Sequence, residues 1–344
     1  MKNIIAGLLV VVFAFAIPAY ADSSIPYGVN IGCGSCGSGN VYGTNYVYTS
    51  NAEIDMAYNQ GVRVLRLGFR QPRVISAPDG TVLGPVSTRL LPNIDYALSR
   101  GMAVILDDHE FGSYFGGVMT SSDVPATVRM WNQVFGKYKG NPNVLPAFMN
   151  EPYKLYSSVW SIEQAWIDGM RNDGWTQTLV VSGRNFSPLA GYGTTFGASA
   201  LTLTDPLNGL LFDGHIYFDS DSSGTHGDVM GLTDADLADP VAFEGKVRTW
   251  LNNRVGSSMT WARSNGKKFL VGEIALPNNN VGNAARPIVV KYFDENSDVI
   301  QHMTWWVLSG WMNYPGYIFG LGQSGSAPSP IFLETTKARQ AVVP

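Results

Sequence analysis

The hydrophobic positions of this chain repeat a phrase rather than a sequence. Four times an amphipathic stretch ends on a polar residue and a glycine, and an apolar run follows: NQG-VRVLRLGF, SRG-MAVILDDHE, NDGW-TQTLVVSGRN and SNG-KKFLVGEIALP. Gly61, Gly101, Gly174 and Gly266 stand where a helix closes on a left-handed residue. The runs after them are short and rich in Val, Ile and Leu, as strands buried on both faces are. Apolar runs at 144–149, 209–212 and 299–308 fit the same role, and YGVNIG at 27–32 opens the series. The segments between them predict helices. Over 124–138, Val128, Trp131, Phe135 and Tyr138 share one face, and Asp123 with Pro125 marks the start. Over 241–255, Val247, Trp250, Leu251 and Val255 form a similar stripe.

Strands alternating with helices imply a parallel sheet. About eight strands with no Ser/Gly/Pro-rich linker predict an α/β fold of one domain, a (β/α)8 TIM barrel over 22–344. No G-x-G-x-x-G stands between a strand and a helix, which speaks against a dinucleotide-binding sheet. The first residues lie outside this pattern. Lys2, the apolar stretch Ile4 to Ile17 and Ala19-Tyr20-Ala21 read as a signal peptide, 1–21, cut after Ala21. No later stretch is apolar and uncharged for long enough to span a bilayer, so a secreted or periplasmic protein without a membrane partner is expected. A net charge of −4 gives no electrostatic case for nucleic acid. Charged residues make up only 15% of the chain and aromatic ones 12%, a balance suited to a neutral partner met by ring faces. A monomer is expected.

In such a barrel the chemistry gathers at the C-terminal ends of the strands. The runs deliver Arg66 on the second; Asp107, Asp108, His109 and Glu110 on the third; Asn150 and Glu151 on the fourth; and Arg184 with Asn185 on the fifth. The sixth is followed by Asp213, His215, Tyr217 and Asp219, the seventh carries Glu273, and the eighth Trp305 and Trp306. Each of the two glutamates closes a run with little other charge, AFMNE and FLVGE. A single such Glu is ordinarily a cap or a surface residue. Placed on strands four and seven they face each other across the mouth, where two carboxylates can divide the work of glycoside hydrolysis. One with a raised pKa protonates the leaving oxygen, and the other, ionised, attacks the anomeric carbon.

The N-E-P at 150–152, the G-E at 272–273 and the H-x-Y at 215–217 resemble glycoside hydrolase family 5, the cellulase-type retaining (β/α)8 hydrolases. GHIYFDSDSSGTHGD is similar to the strand-six region of that family's endo-β-1,4-glucanase branch. The resemblance implies Glu151 as general acid/base and Glu273 as nucleophile. It also implies Asn150 on the sugar 2-hydroxyl in the −1 subsite, Tyr217 orienting Glu273, His215 beside Glu151, Arg66 beneath the nucleophile, His109 lining the −1 subsite and Trp306 as a sugar platform. The implied reaction is hydrolysis of β-1,4-glucan, with mannan, xyloglucan or mixed-linkage β-glucan as rival substrates. Its partner is a polysaccharide or oligosaccharide, with neither cofactor nor metal.

Three features depart from that pattern. Glu110 adds a third carboxylate after His109, Phe186 stands where the family often has a tryptophan after strand five, and Cys33 and Cys36 follow strand one. Export favours a local disulfide for the C-G-S-C, and the glycines around it read as a loop rather than a redox helix start. A hard cation on Asp107, Asp108, His109 and Glu110 is an alternative reading, against which stand the chain's four histidines and their absence from strand one. Asp219, Asp221 and Asp228 read as turn chemistry and His302 as structural. Trp311 and Tyr314, in the loop after strand eight, could add stacking surface. A non-catalytic carbohydrate-binding barrel would share the fold and the aromatic faces but has no need of both glutamates with Asn150, His215 and Tyr217. A thiol oxidoreductase would instead place its chemistry on Cys33 and Cys36.

Overall fold

In the computed structural model of the chain, residues 25–312, 317–324 and 327–342 are described; the expected signal peptide and Tyr314 fall outside them. The four glycines read as helix stops all have positive φ: Gly61 at +88°, Gly101 at +73°, Gly174 at +85° and Gly266 at +61°. Each ends a helix and hands the chain to a strand.

Eight strands close into a parallel barrel: β1 (Tyr27–Ile31), β2 (Val64–Phe69), β3 (Ala103–Asp108), β4 (Val144–Ala147), β5 (Leu179–Val181), β6 (Leu210–Tyr217), β7 (Phe269–Ala275) and β8 (Ile300–Leu308). Neighbours in the barrel are neighbours in sequence, and β1 pairs with both β2 and β8. The outer layer is α1 (Asn51–Asn59), α2 (Leu91–Ser99), α3 (Val124–Phe135), α4 (Val159–Asn172), α5 (Pro240–Ser264), α6 (Asn280–Asp294) and α7 (Pro330–Val342). Only two short helices, Tyr192–Thr195 and Gly197–Ala200, fill the outer layer between β5 and β6. The tryptophan faces behave as their spacing predicts. Val128, Trp131 and Phe135 of α3 and Val247, Leu251 and Val255 of α5 are buried, with Trp250 partly so.

Two strands differ from the apolar runs that announce them. β4 stops at Ala147, before the run ends at Met149, and β6 continues to Tyr217, well beyond its apolar part. The second difference follows from the interior of the barrel, which is layered. Val64, Ile105, Leu145, Ala147, Val180, Leu211 and Leu270 form an apolar cluster apart from the main core. Two residues further along their strands stand Arg66, Asp107 and Asp213, all buried. With a period of 2 these side chains face the same interior. Polar residues therefore belong inside β6, because they line the upper half of the barrel rather than end the strand.

β7 adds a local device. Its pairing slips by one residue against both neighbours: Gly214 pairs with Val271 but His215 with Glu273, and Met303 pairs with Val271 but Trp305 with Ile274. Alternation from the inward Leu270 would turn Glu273 outward; the bulge at Gly272 turns it back in. Gly272 is required there, since a Cβ would stand 2.3 Å from Asp213 Oδ1, the atom its own amide donates to at 3.0 Å.

Candidate active site

The polar layer is organised around Arg66, which sits inside β2 rather than at its end and is fully buried. Its Nη1 donates to Asn30 Oδ1 at 2.9 Å and to Glu273 Oε1 at 3.0 Å, and its Nη2 donates to Asn150 Oδ1 at 2.6 Å. Asp107 lies 3.1 Å and Asp213 3.7 Å from Nη2. One guanidinium thus fixes the nucleophile candidate, the amide before Glu151, and two buried carboxylates. That dense pairing is what makes a buried cation tolerable.

Above this layer, Asn150 Nδ2 lies 3.2 Å from His109 Nε2, and His109 Nδ1 lies 2.6 Å from Asp107 Oδ2. Asn150 spends its oxygen on Arg66, which leaves its amide nitrogen to face His109. His109 in turn stacks on Trp306, with ring centroids 5.9 Å apart and planes 16° off parallel. Trp306 donates its indole N–H to the Tyr317 hydroxyl. Trp305, its neighbour, is buried and faces Arg286 of α6, so the two consecutive tryptophans divide between cleft and outer layer.

The two glutamates share a histidine. His215 Nδ1 lies 2.7 Å from Glu151 Oε1 and 3.7 Å from Glu273 Oε2, while Nε2 lies 3.3 Å from Asp213 Oδ2. Burial disfavours the imidazolium, but Glu273 and Asp213 outweigh it and hold the His215 pKa well above its ordinary value. Tyr217 donates its hydroxyl to Glu273 Oε2 at 2.6 Å. Oxygens of Glu151 and Glu273 and a nitrogen of His215 all lie within 4.8 Å of one another.

Their environments part the two acids. Burial raises the Glu151 pKa, the charge of Glu273 adds to that, and the His215 hydrogen bond only partly opposes it. Burial acts on Glu273 in the same direction, but His215, Arg66 and His109 overcome it, and the Tyr217 hydroxyl helps; its pKa falls below the ordinary value. The two pKa values are thereby pushed apart, Glu151 upward and Glu273 downward. Both line a cleft of about 220 Å³ with His109, Phe111, Asn150, Tyr217, Trp306 and Tyr317. Glu151 itself has φ +41°, a backbone that non-glycine residues seldom adopt and that clusters at functional sites.

All eight residues singled out in the sequence, Arg66, His109, Asn150, Glu151, His215, Tyr217, Glu273 and Trp306, are therefore brought together. Asn30, Asp213 and Tyr317 join them with no role foreseen from the sequence, and Asp107, weighed there only as a cation ligand, joins them through Arg66 and His109. Asn30 could have been read as a polar residue at an inward position of β1; Tyr317 lies in a loop without periodicity and carries no such signal. The acidic run on β3 does not converge. Asp107 serves Arg66 and His109, Asp108 accepts from Gln71 at 2.6 Å, and Glu110 pairs with Arg70 at 3.1 Å. Cys33 and Cys36 are joined in a disulfide. Exposed Phe186 stacks on Tyr153, two residues after Glu151, with centroids 4.9 Å apart.

Comparison with known proteins gives the family and agrees with the fold. Residues 27–310 match the family model Cellulase (glycosyl hydrolase family 5). Endoglucanase gh5-1 of Neurospora crassa is 29% identical over 303 residues, which is 85% of this chain and 72% of the relative. Endo-beta-1,4-glucanase A of Emericella nidulans is 28% identical, covering 81% of this chain and 80% of its own. Among solved structures, XacCel5A in complex with cellopentaose superposes with a TM-score of 0.78 at 24% identity, over 92% of this chain and 99% of that one. The Pseudomonas stutzeri endoglucanase Cel5A in complex with cellobiose gives 0.75 at 23% identity, over 91% and 92%. These two likenesses concern the barrel. The family match spans the barrel from β1 through β8, and the chain belongs to glycosyl hydrolase family 5 as a glycoside hydrolase of the cellulase type.

Proposed function

We propose that this protein is a secreted endo-β-1,4-glucanase that cleaves its substrate by double displacement with retention. Glu151 is the general acid/base and Glu273 the nucleophile. The observation that carries this reading is the pair itself: two carboxyls with oxygens within 4.8 Å, in surroundings that push the pKa of Glu151 up and that of Glu273 down. Retaining enzymes place their carboxyls about 5–5.5 Å apart, whereas inverting ones leave roughly 6.5–9.5 Å for a water.

In the first step Glu273 attacks the anomeric carbon while Glu151 gives its proton to the departing oxygen. The glycosyl–Glu273 ester then yields to water, from which Glu151, now ionised, takes a proton. His215 holds Glu151 in both states through the same Nδ1. Asn150, oriented by Arg66, presents its amide to the sugar 2-hydroxyl, and Trp306 supplies the ring face beneath a sugar. The endo-beta-1,4-glucanase names of relatives from Emericella nidulans and Aspergillus niger support the glucan specificity. For export, the support is the sequence of residues 1–21 and the absence, among the described residues, of a helix able to cross a membrane.

Reducing ends released from a panel of soluble polysaccharides test the reading. β-1,4-Glucans should be cut internally and fastest, and Glu273→Ala should abolish that release with the fold intact. Faster release from mannan or xyloglucan would reassign the substrate, and activity near wild type in Glu273→Ala would end the proposal.

A further inference from the structure

Glu163 has no part in the two-carboxylate chemistry, yet it is an acid fully buried on α4. Its Oε1 accepts the Ser182 amide at 2.6 Å, and its Oε2 has no partner among the described residues. Burial pushes its carboxyl well above the ordinary range, opposed only in part by the Ser182 amide.

The bond it accepts is taken from the sheet. β4 and β5 pair at Ala147 and Val180, and the Phe148 amide donates to the Val180 carbonyl at 3.0 Å. A parallel ladder continuing from this point would send the Ser182 amide to the Phe148 carbonyl. It goes to Glu163 instead, and the Ser182 hydroxyl donates to the Met149 carbonyl. On the other side the Asn150 amide donates to the Asp108 carbonyl at 2.8 Å. The segment 149–151 thus leaves the sheet while held on both flanks, and Glu151 reaches its φ of +41°, which a continued strand would forbid.

We propose that Glu163 is a positioning residue for the acid/base. By taking the Ser182 amide it ends the β4–β5 ladder, and through the Ser182 hydroxyl on Met149 it fixes the backbone that aims Glu151 across the cleft. This rests on Glu151 being the proton donor. Loss of Glu163 then misplaces a proton rather than a sugar contact, and the defect depends on how much the leaving group needs protonation.

The test is a series of aryl β-cellobiosides whose phenols span a range of acidity, read as kcat/KM. Glu163→Gln keeps an acceptor on Ser182 and should follow the wild type within about 3-fold throughout. Glu163→Met, folded by circular dichroism, should lose about 10- to 100-fold on the poorest leaving groups and far less on dinitrophenyl. A uniform loss across the series, or a wild-type slope, would overturn the positioning role. Glu151→Gln is the reference: without the same steepening there, the acid assignment itself fails, which separates that failure from failure of the Glu163 proposal. Should Glu163→Met not fold, Ser182→Ala decides in the same assay, a steepened slope supporting the role and an unchanged one overturning it.

Discussion

Glu151 and Glu273 have the same side chain but pKa values displaced in opposite directions, because their neighbours differ. Glu151 has burial and the negative charge of Glu273 against His215 and, more weakly, His109; Glu273 has His215, Arg66, His109 and Tyr217 against burial. The sign of the pH dependence follows. In the proposed mechanism hydrolysis needs Glu273 ionised, so kcat/KM should rise as pH passes up through a pKa below the usual 4.5. It also needs Glu151 protonated, so the rate falls again through a pKa above the usual 4.5. Tyr217→Phe removes a hydroxyl that favours ionised Glu273, so its acid limb should move to higher pH while the alkaline limb moves less. An acid limb that stays in place or moves down would contradict the role given to Tyr217. At this scale the two glutamates were readable because each ends an apolar run. Gly272 was not, since nothing in FLVGE says that a bulge must turn Glu273 inward, and Asp213, whose packing demands the glycine, lies 59 residues away.

The elements were readable where burial imposes a period and unreadable where it does not. Helix stops at Gly61, Gly101, Gly174 and Gly266 follow from chemistry within a few residues. The polar upper half of β6 breaks the apolar rule because it faces an interior occupied by Arg66. The loop after β1 shows the same limit. Its disulfide could be expected from two cysteines, but its organiser, Arg73, lies in the one-turn helix Gln71–Val74 after β2, too short for any pattern to mark it. That guanidinium is buried and donates to the carbonyls of Gly34, Cys36, Gly37 and Gly39. Burial pushes its pKa down to about 10, so at neutral pH it remains charged. Arg73→Met would leave these carbonyls without a donor and should cost roughly 2–4 kcal/mol, read as a fall in denaturation midpoint at unchanged m. A midpoint within error of the wild type would show that the disulfide alone holds the loop.

At the scale of the whole molecule, what makes the site readable is order. N-E-P, H-x-Y and G-E are weak singly, but a barrel fixes which strands carry them and that their ends converge. The distances that turn a set of residues into a mechanism were not readable, because they come from register and bulges summed around eight strands. Those distances give the claim that can be struck most directly: a covalent sugar on Glu273. A 2-deoxy-2-fluoro cellobioside with a good leaving group slows turnover of the glycosyl-enzyme, and peptide mass spectrometry of the digested protein locates the sugar. The expected result is one added cellobiosyl unit per chain, on the peptide that contains Glu273, with time-dependent loss of activity. A label on any other residue, or steady turnover with no label and an inverted first product, would contradict double displacement through Glu273.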